Sequence, residues 1–149
     1  MPALRLFLDA NVLFLAGNSR TSPVHDLLAL GRDRRCEFVA SGYAIEEARR
    51  NLAAKGPAGS VEAFNVTLTG VTFVREASSK ALEQAVAAKL SDSGDVPILA
   101  AAIQCRADVL VTGDRRAFGR FSRTTVAGVE VLVLRDAVRR VMGLPLSPS

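Results

Sequence analysis

Tryptophan is absent from the 149 residues, and tyrosine and histidine occur once each. With aromatics at 5% of the chain, an aromatic-packed β-sandwich is disfavoured, and the wealth of Ala, Val and Leu suits helices layered on a sheet. The single histidine, His25, excludes any site needing two imidazoles and argues against a Cys/His zinc centre. Its setting, Ser22-Pro23-Val24-His25-Asp26, reads as the first turn of a helix and suggests a structural role. Cys36 and Cys105 lie far apart and lack the C-x-x-C pairing of redox and zinc motifs, so buried free thiols are expected. No apolar run is long enough to span a bilayer, and the opening residues lack a charged segment followed by a long apolar stretch. A cytoplasmic location is expected.

What is present begins with a composition of 49% hydrophobic and 23% charged residues, enough for one domain to bury a core unaided. One domain is expected over residues 1–144, with 145–149 a loose tail. The net charge is +4, and apart from Lys55, Lys80 and Lys89 the positive charge is all arginine. Arginine's planar fork matches phosphate oxygens, which admits a nucleic-acid partner; an ordinary basic surface fits the charge alone equally well.

Apolar patterning predicts strands at 4–8, 36–40, 71–75, 108–112 and 129–134. Between them lie amphipathic helices, one starting at Ala10 or Asn11, one after Thr21-Ser22-Pro23, one capped by Ser41 with Ile45, Ala48 and Leu52 on one face, then others near 60–68 and 79–90 and one containing Ile98, Leu99, Ala102 and Ile103. A short arginine-rich helix closes the chain. Strands separated by helices imply a three-layer α/β/α sandwich around a mostly parallel sheet of four to five strands.

Two acids stand directly after strands, Asp9 in Leu-Phe-Leu-Asp and Asp114 in Leu-Val-Thr-Gly-Asp. Ligands of open parallel sheets bind beyond the carboxyl ends of the strands, so both acids are placed on the binding edge, although either one alone could simply cap the next helix. Asp95 leads an apolar helix face with Ile98, Leu99 and Ala102, where it could also serve the helix dipole; Asp92 reads as a loop or capping residue. Glu46 and Glu47 both lie off the Ile45/Ala48/Leu52 stripe, and periodicity does not separate them. Clustered carboxylates suit a hard cation such as magnesium or manganese, and without one they repel each other. Arg115, Arg116, Arg120 and Arg123 follow Asp114 and could hold a phosphate backbone or form a solvated basic face; Phe118 and Phe121 read as core.

These residues together resemble the PIN-domain family over about residues 4–134. The carrying motifs are Phe7-Leu8-Asp9-Ala10-Asn11-Val12-Leu13, then Ser41 with Glu47-Ala48-Arg49-Arg50-Asn51-Leu52, then Asp95-Val96-Pro97-Ile98-Leu99-Ala100-Ala101-Ala102, and Ala107-Asp108-Val109-Leu110-Val111-Thr112-Gly113-Asp114. The resemblance, to VapC-like ribonucleases within the family, implies a catalytic set of Asp9, Glu47, Asp95 and Asp114, with Asp9, Asp95 and Asp114 holding Mg2+ or Mn2+. It also favours Glu47 over Glu46, and gives Asn11 and Thr112 a supporting role behind the acids. RNA is the implied substrate, with Arg115, Arg116 and Arg120 as backbone contacts; an antitoxin protein and a second copy of the chain are the implied partners. Some relatives carry another acid after the Asp114 position, where this chain has Arg115, Arg116, Ala117 and Phe118, which puts a complete second metal site in doubt.

Two other readings compete. A non-catalytic RNA-binding or protein-interaction module would keep the fold but would gain nothing from four acids. A phosphatase with Asp9 as nucleophile would ordinarily show Asp-x-Asp, and the sequence has Asp9-Ala10-Asn11 with no lysine near Asp114.

Overall fold

The first apolar run forms β1 (Leu4–Leu8), and its consecutive Leu6, Phe7 and Leu8 are all buried. Neighbouring strand residues point to opposite faces, so burial of all three requires cover on both sides of the sheet. In this computed structural model, residues 3–89, 94–113, 118, 121–146 and 148 are described. After β1 come α1 (Ala10–Asn18), α2 (Val24–Arg32), β2 (Cys36–Ser41), α3 (Gly42–Lys55), α4 (Ser60–Leu68), β3 (Val71–Val74), α5 (Ser79–Ala87) and α6 (Asp95–Gln104). β4 (Val109–Thr112), β5 (Thr125–Val126), β6 (Val129–Val133) and α7 (Leu134–Met142) complete the order.

The sheet runs β3-β2-β1-β4-β6-β5 and is parallel except for β5 against β6. It is the central layer of a three-layer α/β/α sandwich, matching the expected architecture with one more strand than expected. The extra strand, β5, is two residues long and joins β6 through Ala127 and Gly128, both at positive φ (49° and 87°). That is the geometry of a two-residue primed hairpin turn; Ala in the first place, where Asn or Asp would announce it, hides the turn from sequence reading.

Local chemistry sets the element ends. Ser41 Oγ accepts from the Ala44 amide at 3.3 Å and starts α3, as its position after β2 suggests. Pro97 sits in the first turn of α6, where its missing N–H breaks no helical hydrogen bond. Behind it Ile98 to Ala102 are all buried, so α6 is enclosed rather than surface-lying. α1 packs on α3 and α4, α5 along α6, and α2 against α7. Cys36 is a buried free thiol, whereas Cys105 is only half-buried. Among the described residues no helix is long and apolar enough to cross a membrane.

α1 and α4 cross closely at Gly17: a Cβ there would lie 2.7 Å from the Ser60 carbonyl oxygen and 2.9 Å from Leu52 Cδ1. Gly17→Ala gains about 1 kcal/mol of helix propensity, but overpacking against a backbone atom costs about 1–3 kcal/mol. A net loss of about 1–2 kcal/mol in urea unfolding is expected; a variant as stable as the parent would mean that α4 shifts freely along α1.

Candidate active site

From β1 the chain steps outward to β2 and β3, then returns to the other side of β1 for β4. The switch therefore falls between β1 and β4, where the two outgoing connections diverge and leave a crevice at the carboxyl ends of these strands. Asp9 follows β1 at this point, and Thr112-Gly113 closes β4 beside it, with the Asp9 amide donating to the Val111 carbonyl at 3.1 Å.

The Asp9 side chain is 4% exposed. Its Oδ1 accepts from the Ala10 amide at 2.6 Å, and its Oδ2 accepts from the Thr112 hydroxyl at 3.3 Å. Asp9 thus does cap α1, as a purely structural reading would have it. Capping does not require burial, however. Burial pushes the Asp9 carboxyl up to about 7, and the nearby charges of Asp95 and Glu47 push in the same direction, outweighing the Ala10 amide and the Thr112 hydroxyl that favour ionisation. Asp95 of α6 and Glu47 of α3 are thus near enough for their charges to act on Asp9.

Asp95 is the first residue of α6; it is partly buried, with Oδ2 shielded from solvent. Glu47 is partly buried on α3, whereas Glu46 faces solvent and accepts from Arg49 at 3.2 Å. The rotation of α3 about its axis thus separates two neighbours that periodicity leaves equivalent. Asn11 Oδ1 accepts from the Gly113 amide at 3.0 Å, tying the first turn of α1 to the end of β4. A Cβ at Gly113 would lie 3.2 Å from Leu15 Cδ1 and 3.4 Å from that Asn11 oxygen, so a side chain here would press on both neighbours.

Asp114, Arg115, Arg116 and Arg120, and also Asp92, lie outside the described residues. Arg123, read from sequence with the phosphate-facing arginines, is instead committed to the fold: its Nε and Nη2 donate to the two Asp136 oxygens at 2.9 and 3.2 Å. Phe118 is buried and Phe121 partly buried against the core, as expected. His25 Nε2 meets the Ser19 carbonyl at 2.6 Å and serves the α1–α2 connection.

Among the described residues no three acids stand close enough to grip an ion by themselves. The donor chemistry fits a hard cation nonetheless: the coupled groups are all carboxylates, and the central one is costly to ionise without a compensating positive charge.

A family model for the PIN domain matches residues 5–116, three quarters of the chain. The chain belongs to the PIN-domain family. Three solved structures share the fold. VapBC2 from Rickettsia felis, bound to a DNA fragment from its promoter, superposes with a TM-score of 0.65 at 15% identity, covering 87% of this chain and 98% of that one. VapC20 from Mycobacterium tuberculosis, a sarcin-ricin-loop-cleaving toxin, gives 0.54 at 13% identity over 77% and 94% of the two chains. FitAcB from Neisseria gonorrhoeae gives 0.55 at 16% identity over 85% and 96%. No curated protein sequence matches. Identities this low speak for the PIN fold and not for a shared substrate.

The raised Asp9 pKa sets a stability window. Because the folded group takes up its proton more readily than the unfolded one, its contribution is complete below about pH 4 and is lost as pH rises through about 7. In EDTA the wild type should lose roughly 3–4 kcal/mol relative to Asp9→Asn between pH 4 and pH 8 in urea titrations. Parallel pH profiles for the two proteins would show that Asp9 ionises without strain.

Proposed function

We propose that this PIN-domain chain is an endoribonuclease that depends on magnesium or manganese and acts as the toxin of a toxin–antitoxin pair. The carrying observation is the buried Asp9 carboxyl at the sheet's switch point, held against the fields of Asp95 and Glu47. A fold gains no stability from gathering like charges around a dry carboxyl, whereas a cleft that captures a cation does.

In this reading Asp9, Asp95 and Asp114 hold the cation, and Glu47 completes the catalytic set. The ion would supply positive charge for a phosphoryl oxygen and lower the pKa of water. Thr112 and the Ala10 amide orient Asp9, so that one carboxylate edge stays fixed. Asn11 fixes the Gly113 amide at the end of β4. Asp95 or Asp114 accepts the proton of the attacking water. Arg115, Arg116 and Arg120, directly after Asp114 in the chain, hold the RNA backbone.

RNA as substrate is supported by the M. tuberculosis neighbour, a toxin that cleaves the sarcin-ricin loop. A protein antitoxin is supported by the two-component R. felis neighbour. We add a homodimer, for which the exposed Phe73, Val66 and Val86 offer apolar surface, and a cytoplasmic site of action.

The test is cleavage of a pool of end-labelled single-stranded RNAs in Mg2+, Mn2+ or EDTA. Cutting should require the metal and fall by about 100-fold or more in Asp9→Asn and in Asp95→Asn, with both variants folded by circular dichroism. Cutting that persists in EDTA, or in Asp9→Asn, would overturn the reading.

A further inference from the structure

Beside Gly113 the surface opens into a cavity of about 470 Å³. Its wall is formed by Leu15 of α1, Ser22 and Pro23 before α2, and Leu134 and Arg135 at the start of α7, with Pro148 of the C-terminal segment at its margin. The volume falls in the roughly 300–1,000 Å³ range of small-ligand sites.

Arg135 needs an explanation. It occupies the first turn of α7, where a cation opposes the helix dipole. Other arginines nearby are committed: Arg123 to Asp136, Arg140 to Glu130 and Arg139 to the Pro145 carbonyl. Arg135 is exposed and has no hydrogen-bond or ion-pair partner among the described residues. Helix stability therefore does not account for it, whereas an anion at the cavity mouth does. Asp136 also lines the wall, but both its oxygens accept from Arg123, so its charge is matched. Ser22 Oγ accepts from the Val24 amide at 3.2 Å, and its hydroxyl hydrogen has no acceptor among the described residues. Leu15, Pro23 and Leu134 supply apolar surface of the kind that covers the face of a base.

We propose that this cavity is a nucleotide subsite of the RNA strand, seating a base against Leu15, Pro23 and Leu134, with Arg135 on the adjoining phosphate and Ser22 donating to the base or ribose. The assignment rests on the ribonuclease reading, because the cavity is reached by an RNA strand whose scissile phosphate lies in the acidic crevice beyond Gly113.

The experiment uses the full chain and a fluorescein-labelled single-stranded RNA octamer, in EDTA so that the probe stays intact, read by anisotropy at several salt concentrations. Arg135→Ala should weaken binding about 3- to 10-fold and lower the salt slope by about one, the signature of one lost phosphate contact. Arg135→Lys should restore most of the affinity, and the exposed Arg32→Ala, which removes the same charge from the end of α2, should stay within about twofold of the parent. With metal present, Arg135→Ala should raise KM more than it lowers kcat. RNA binding and cleavage that are unchanged in Arg135→Ala would overturn the subsite and leave the ribonuclease standing. A wild type that neither binds nor cuts the RNA would bring down both.

Discussion

Everything in this molecule is arranged around a carboxyl group removed from water. Asp9 follows the central strand of a mostly parallel sheet, and its burial, with the charges of Asp95 and Glu47 acting in the same direction, raises its pKa to about 7. An isolated carboxylate in such a place would stay protonated or move out. It stays because two hydrogen bonds, from the Ala10 amide and the Thr112 hydroxyl, fix both oxygens. The strain of keeping it there becomes attraction for positive charge.

The architecture makes that placement possible. The strand order switches between β1 and β4 beside Asp9, and α3 and α6 carry Glu47 and Asp95 near enough for their charges to act on it from positions far apart in the chain. Rigidity comes from close approaches: Gly17 beneath Leu52 and the Ser60 carbonyl, and Gly113 against Asn11. The Arg123–Asp136 and Arg140–Glu130 pairs tie α7 to β6 and to the segment before β5. Several arginines of this basic chain are thus structural, and its net charge overstates the free positive surface.

Much of the fold was legible in the sequence. The buried strands are continuous apolar runs because both faces are covered, and the surface helices carry an apolar stripe, whereas α6 is enclosed. β1, α4 and the start of α3 fall where the pattern puts them. β5 was not legible, since two residues hold no periodicity and Ala127 is an unusual turn residue. Of the candidate site, Asp9 could be read from its place after a strand, and Asp95 from its place at the head of a buried helix face.

The sequence by itself determined which residues are acidic and, β5 apart, where the strands and helices lie, and therefore which acids stand at element ends, because buried strands are continuous apolar runs and helices repeat their apolar face every 3.6 residues. It left open whether Glu46 or Glu47 faces the crevice, because both lie off the apolar stripe and only the packing of α3 on its neighbours sets its rotation. It also left open whether Arg123 meets a phosphate or a carboxylate: Asp136 is thirteen residues away in the chain, and only the folded β5–β6 hairpin and α7 bring the pair within 2.9 Å. Strand order decided the rest. Which strands become neighbours depends on long-range pairing, and that pairing alone set Asp9 beside Thr112, 103 residues away, and turned single acids into a site.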